Sequence, residues 1–263
     1  MTVREALAGA SIDAREARLL LAAASGFSAA AVLAYPEREL PAQARDRFFR
    51  YVERRSQGEP VAYILGRKEF YGLELSVNPA VLIPRPETEL LVELALERAF
   101  SSVVDLGTGS GAIALALKRA RPAARVVAVD ASAAALVLAK RNAVALGLAV
   151  EFVHGQWLAP LAGERFDLVI SNPPYVAEGD PHLAGLAFEP QSALVSGPEG
   201  LDALKQVATA APAHLKSSGW LLLEHGMGQD GAVRVLLERA GLEDVTTWPD
   251  LAGIPRVSGG RLK

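Results

Sequence analysis

The fold this sequence predicts is α/β: a seven-stranded, mostly parallel sheet covered by helices on both faces, preceded by a small all-helical domain and a β-hairpin linker. Three observations predict it. Across residues 1–57 the apolar positions recur at three- and four-residue spacing. From residue 101 onward, short β-branched runs alternate with helix-length stretches, the pattern of a parallel sheet buried on both faces. Between the first such run and its helix lies a glycine-rich turn, Asp105-Leu106-Gly107-Thr108-Gly109-Ser110-Gly111. The boundaries that follow are a helical domain at 1–58, a hairpin linker at 59–84 and the sheet domain at 85–263.

Taken in order, Val3 and Leu7, then Ala17, Leu20, Leu21 and Ala24, then Phe48, Phe49 and Val52 mark the apolar sides of about four short helices. Asp13 reads as an N-cap, while Gly26, Pro36 and Pro41 punctuate the stretch. Arg50, Arg54 and Arg55 share a polar face, which reads as solvated before it reads as a site for an acidic partner. From Pro60 to Pro84 aromatic and β-branched residues mix with Gly and Pro, as in a hairpin. A helix is predicted over Glu87–Phe100. It is followed by strand SVVDLG, helix Ala112–Arg121, strand RVVAVD, helix Ala133–Leu146, strand VEFVHG and strand FDLVISN. The remainder reads as helix Leu201–Leu215, strand GWLLLEHG, helix Gly228–Ala240, strand EDVTTWPD and a terminal segment suited to antiparallel pairing.

Composition narrows the function. The apolar fraction of 51% is enough to fill a core of this size. No apolar run reaches the roughly 18 residues of a membrane span, and the N-terminus has no signal-peptide pattern, so a cytoplasmic protein is expected. With no cysteine there is no disulfide, thiolate zinc site or cysteine nucleophile. The four histidines, His154, His182, His214 and His225, lack ligand spacing, and no metal is expected. A net charge of −3 argues against a protein that grips nucleic acid by its phosphates.

Two motifs carry chemistry. Glycines at 107, 109 and 111 allow a sharp turn and close approach of a ligand, and the next helix offers free N–H groups. Asp130 ends the following strand, where a carboxylate can accept from ribose hydroxyls. Dinucleotide sites use such an acid too, and Asp130 can also be read as a helix cap, although Ser132 is the better cap. Trp157 follows the next strand and fits either a ring cover for an adenine or a buried loop anchor. The second motif, Asn172-Pro173-Pro174-Tyr175, ends the fourth strand. An amide nitrogen is a poor nucleophile because its lone pair is delocalised. Two acceptors, the Asn172 side-chain oxygen and the Pro173 carbonyl, can orient it through both N–H groups, with Tyr175 as an aromatic wall. Consecutive prolines stiffen the loop that presents them.

The chain resembles the bacterial peptide chain release factor glutamine methyltransferases, the HemK or PrmC family, over nearly its whole length. The resemblance rests on Phe70–Gly72, LIPRPETE from Leu82, DLGTGSGAIAL from Asp105, AVDAS around Asp130, SNPPY around Asn172, and EPQSAL and GPEGLD between Glu189 and Asp202. LLEHG ending at Gly226 and the tail DLAGIPR add to it. It implies a Rossmann-like class I methyltransferase domain that uses S-adenosyl-L-methionine to methylate the glutamine N5 of a Gly-Gly-Gln tripeptide in class I release factors. It further implies that Gly107, Thr108, Gly109, Ser110, Gly111, Asp130, Trp157 and Asn172 contact the cofactor. Asn172, Pro173, Pro174 and Tyr175 would hold the substrate, with Asn172, Pro173 and Tyr175 in the catalytic role. Gln156, before the tryptophan, departs from relatives that often carry a small or acidic residue there. The expected partner is a release factor met by a monomer, without DNA or membrane. Adenine-N6 methyltransferases share the NPPY element, since an exocyclic adenine amine presents the same planar N–H pair. A ribosomal-protein glutamine is the nearer rival substrate.

Overall fold

The computed structural model describes all 263 residues, which divide into two compact units, Met1–Arg67 and Lys68–Lys263. The first holds five helices: α1 (Val3–Ala8), α2 (Ala14–Ser25), α3 (Ala29–Ala34), α4 (Ala42–Ser56) and α5 (Val61–Leu65). Thr2 and Glu5 form a reciprocal capping box on α1, Asp13 caps α2 through the N–H groups of Arg15 and Glu16, and Gly26 ends α2 in the left-handed conformation. Leu20, Leu21, Phe48, Val52 and Ile64 meet in one buried cluster. The polar face of α4 is partly tied down, since Arg54 grips Glu59 and Arg55 pairs with Glu16 at 2.7 Å.

Helix α5 lies inside the segment expected to be hairpin linker. Its β-branched and aromatic residues suggested strand, but Pro60 stands before the first turn and left-handed Gly66 after the last, and Tyr63 and Ile64 are buried. Tertiary burial outweighs strand propensity here. The hairpin is the shorter pair β1 (Arg67–Phe70) and β2 (Leu73–Ser76).

The second unit is built on one seven-stranded sheet in the order β5-β4-β3-β6-β7-β9-β8. Its strands are β3 (Ser102–Leu106), β4 (Arg125–Asp130), β5 (Glu151–His154), β6 (Phe166–Ser171), β7 (Leu215–Glu224), β8 (Glu243–Pro249) and β9 (Pro255–Arg261). Five run parallel, and β9 pairs antiparallel with both β7 and β8, as expected for the terminal segment. Alternate residues of each strand enter different cores. Val103, Val126, Leu168 and Leu222 pack with α6 (Glu89–Leu96) and α7 (Ala112–Ala120), while Val104, Val127, Val169 and Leu221 pack with α9 (Asp202–Ala210) and α10 (Asp230–Arg239). Helix α8 (Ala133–Leu146) packs against β4, β5 and β2. The Arg98 guanidinium lies over the rings of Trp220 and Trp248, 4.2 and 4.9 Å from their centroids. No helix is long and apolar enough to cross a membrane.

Candidate active site

Strand order reverses at β3: the chain moves outward through β4 and β5, then returns to place β6 on the other side of β3. Loops leaving the carboxyl ends of β3, β4 and β6 must diverge there and leave a crevice. A cavity of about 530 Å³ occupies it, of a size suited to a small molecule. Gly107, Thr108, Gly109, Ser110, Asp130, Gln156, Trp157, Asn172 and Pro174 all border it. Gly111, Pro173 and Tyr175 do not.

The glycine turn is fixed by β4. Gly107 and Thr108 donate to the Val129 carbonyl at 2.8 and 3.0 Å, and Gly109 donates to Asp130 Oδ2 at 2.8 Å. The other Asp130 oxygen accepts from Ser132 N at 2.8 Å, while the Ser132 hydroxyl caps α8. Each carboxylate oxygen keeps a lone pair beyond these bonds. Gly111 begins α7 with φ 85°, and a Cβ there would meet Leu115 at 3.0 Å and Ala139 at 3.3 Å, so its role is to let α7 and α8 close up.

Trp157 adopts φ 50°, rare for a large side chain. Its ring stands 3.5 Å from where a Gly107 Cβ would be, and its indole N–H donates to Gln206 Oε1 at 3.0 Å. The ring borders the cavity while its polar edge is anchored to Gln206.

At the end of β6, Asn172 Nδ2 donates to Thr88 Oγ1 at 3.0 Å, and Asn172 Oδ1 has no partner within the chain. Tyr175 turns away from the cavity. Its hydroxyl donates to Glu224 Oε1 at 3.3 Å, its ring lies beside Gly226, and its carbonyl accepts from Gln229 Nε2 at 3.0 Å.

Four residues shape this site without having been singled out for it in the sequence. Thr88 closes the short turn ahead of α6 and is 4% exposed. Asn142, buried in α8, donates to the Ser110 carbonyl and pairs with the Ser76 backbone in both directions, tying the glycine turn to the hairpin. Glu189 accepts from Ile83 N at 3.0 Å and pairs with Arg85, joining the loop after Tyr175 to the Pro84–Pro86 frame. Glu224 ends β7, 1% exposed, with Oε2 unpartnered. The sequence signal for Glu224 was a charge closing the apolar run LLLE.

Two buried carboxyls are electrostatically unusual. Desolvation raises Asp105 to about 7 against lowering hydrogen bonds from Thr108 and Ala114. Desolvation likewise raises Glu224 to about 7, opposed by Thr88, Tyr175 and Arg256 and reinforced by Glu87. Burial and the neighbouring Glu224 charge also push the Tyr175 phenol up. A carboxyl raised in the folded state binds its proton where the unfolded chain has lost it. Its stabilising share is therefore complete below the unfolded value and is lost as pH rises through the folded one. From pH 4.5 to 7, Glu224→Gln should accordingly gain on the wild type by on the order of 3 kcal/mol in unfolding free energy. Urea midpoints across that range check it, and parallel pH curves for the two proteins would refute it.

Comparison with known proteins agrees with this architecture. Residues 86–188 match the family model described as methyltransferase small domain, and residues 2–66 match that described as PrmC N-terminal domain. Among solved structures, a Pyrococcus furiosus methyltransferase covers 82% of this chain and 98% of its own at TM-score 0.58 and 16% identity. A T. thermophilus 16S rRNA N2 methyltransferase in complex with AdoMet and guanosine covers 75% and 50% at TM-score 0.57 and 24% identity. At these identities the likeness is one of fold. The release factor glutamine methyltransferase of Xylella fastidiosa is 52% identical over 95% of this chain and 94% of its own. That of Burkholderia pseudomallei is 47% identical over 99% and 96%. Such identity, over nearly the full length of both chains, establishes that the chain belongs to the release factor glutamine methyltransferase family.

Proposed function

We propose that this protein transfers a methyl group from S-adenosylmethionine to the side-chain N5 of the glutamine in the Gly-Gly-Gln motif of class I peptide chain release factors. The observation that carries it is Asn172: an amide at the mouth of β6, held through its nitrogen, with its oxygen left for the cavity it borders. That oxygen accepts one N–H of a planar amide, and the Pro173 carbonyl is the second acceptor. Fixing both N–H groups orients the nitrogen and stabilises the positive charge it gains in transfer.

The cavity's residues fit the cofactor. Asp130 keeps acceptor capacity for ribose hydroxyls after its two backbone bonds, Trp157 and Ile113 offer apolar surface to a purine, and the turn from Gly107 to Ser110 lets the backbone approach. When bound, S-adenosylmethionine supplies a methyl group on a cationic sulfur. The helical unit carries no residue of this chemistry, and we assign it to recognition of the release factor in the cytoplasm.

Incubating the protein and labelled S-adenosylmethionine with a class I release factor, a ribosomal protein or DNA tests the reading. One added methyl on the Gly-Gly-Gln glutamine is expected, and none on a Gln→Glu release factor. Label on adenine or on ribosomal protein alone would overturn it. Residues 68–263 by themselves should bind cofactor without modifying the intact release factor, and full activity on it would remove the recognition role.

A further inference from the structure

We propose that Gln229 is a positioning residue of the transfer reaction: its side-chain amide fixes the Tyr175 carbonyl and, through two prolines, the Pro173 carbonyl that meets the substrate. The proposal rests on reading Asn172 and Pro173 as the two acceptors for the substrate amide. The second acceptor is the harder one to place. A side-chain oxygen is aimed by its own torsions, whereas a backbone carbonyl goes where its loop puts it. The Pro173 carbonyl accepts no hydrogen bond within the chain, and neither Pro173 nor Pro174 has an N–H with which to anchor the loop. Its position is therefore inherited from the two ends of the loop.

The upstream end is β6 itself, where Ser171 lies in register with Leu106 and Leu223 and its hydroxyl donates to the Leu106 carbonyl at 2.7 Å. The downstream end is Tyr175. Its phenol reaches Glu224, and its carbonyl accepts from Gln229 Nε2 at 3.0 Å. Gln229 stands at the start of α10, where Oε1 of the same amide accepts from Gly226 N at 2.8 Å. Nε2 also faces the Glu199 and Gly200 carbonyls at 3.3 and 3.5 Å. A backbone N–H can only donate and a carbonyl can only accept, so the amide has one satisfied orientation. Its nitrogen is held toward Tyr175.

Two glycines close the contact. Gly200, with φ 72°, lies so near that a Cβ there would collide with the Tyr175 carbonyl oxygen. A Cβ on Gly226 would meet the Tyr175 ring at 3.3 Å and Gln229 Oε1 at 3.0 Å. Tyr175 is thereby confined on its carbonyl side and on its ring side. Between it and the Pro173 carbonyl the chain has little slack, because the pyrrolidine rings lock φ of Pro173 and Pro174 and a following proline restricts Pro173 to extended geometry. A displacement of the Tyr175 carbonyl passes along this stiff segment instead of being absorbed by it.

The two bonds of Gln229 can be separated in the full chain, with a release factor as substrate. Gln229→Glu keeps the length and the acceptor for Gly226 but, when ionised, offers Tyr175 no donor. Gln229→Met keeps the length and removes both bonds. If Gln229 served only the turn ahead of α10, Gln229→Glu would behave as the wild type. Instead both variants should lower kcat by about tenfold or more, the scale of one lost hydrogen bond, with KM for the release factor and calorimetric affinity for S-adenosylmethionine within about twofold of the wild type. The retained cofactor affinity shows at the same time that each variant is folded. In protein labelled with 13C at the proline carbonyls, without substrate, the Pro173 signal should shift in both variants. Wild-type kcat in either variant would overturn the proposal, as would a Pro173 signal indifferent to both. A wild-type chain inactive on the release factor would instead overturn the functional reading, while the Pro173 signal would still decide the positioning.

Discussion

Replacing Asn172 by Ala should slow methyl transfer by about 100-fold or more while the protein stays folded, the scale seen when a preorganised hydrogen-bonding partner of a transition state is removed. The side chain is half-buried and makes one hydrogen bond within the chain, so its loss leaves only Thr88 in search of a partner. Asn172→Asp discriminates more sharply. It keeps the size and an acceptor, but adds a negative charge where the side chain borders the cavity. Next to a cationic sulfur that charge tightens cofactor binding and leaves the methyl donor less reactive, so affinity and rate should move in opposite directions. Single-turnover transfer read by mass spectrometry, with calorimetry for the cofactor, measures the two separately. An Asn172→Ala variant within a few-fold of the wild-type rate would remove Asn172 from the chemistry.

Replacing Asp130 by Ala should weaken S-adenosylmethionine binding by about 1.5 to 3 kcal/mol, the range for hydrogen bonds to a charged group. Its carboxylate also holds the Gly109 N–H from one oxygen and the Ser132 N–H from the other, so the substitution frees the middle of the glycine turn as well. Asp130→Asn, which retains an acceptor for Gly109, should fall between the two. Calorimetry decides, and unchanged affinity in Asp130→Ala would show that this strand tip does not hold the cofactor.

How much of this was legible beforehand follows from how local each signal is. Strands β3, β4 and β6 bury both faces and read as mostly apolar, β-branched runs, and α8 begins and ends where its sequence period does, between Ser132 and Gly147. Glycines, Asp130 and the double proline announce themselves because each serves its own loop. Helix α5 was missed because Val61, Tyr63 and Ile64 are strand formers, and the Pro60 and Gly66 that bracket them were read as hairpin punctuation. The remaining site residues act only across long separations. Asn172 meets Thr88 from 84 residues away, Glu189 meets Ile83 from 106, and Tyr175 meets Glu224 from 49. A buried polar side chain betrays such a pairing only as an interruption in an apolar run, which says that a partner exists without saying which. Tyr175 illustrates the limit: the sequence made it a wall of the pocket, while the fold turns its hydroxyl to Glu224.

The three tryptophans are placed so that the molecule carries its own optical probe. Trp220 and Trp248 share one guanidinium and lie 6.5 Å apart, outside the wall of the crevice, whereas Trp157 forms part of that wall. A change in emission on titrating a ligand into the crevice therefore originates at position 157, and the other two indoles supply a constant internal reference against which it can be read.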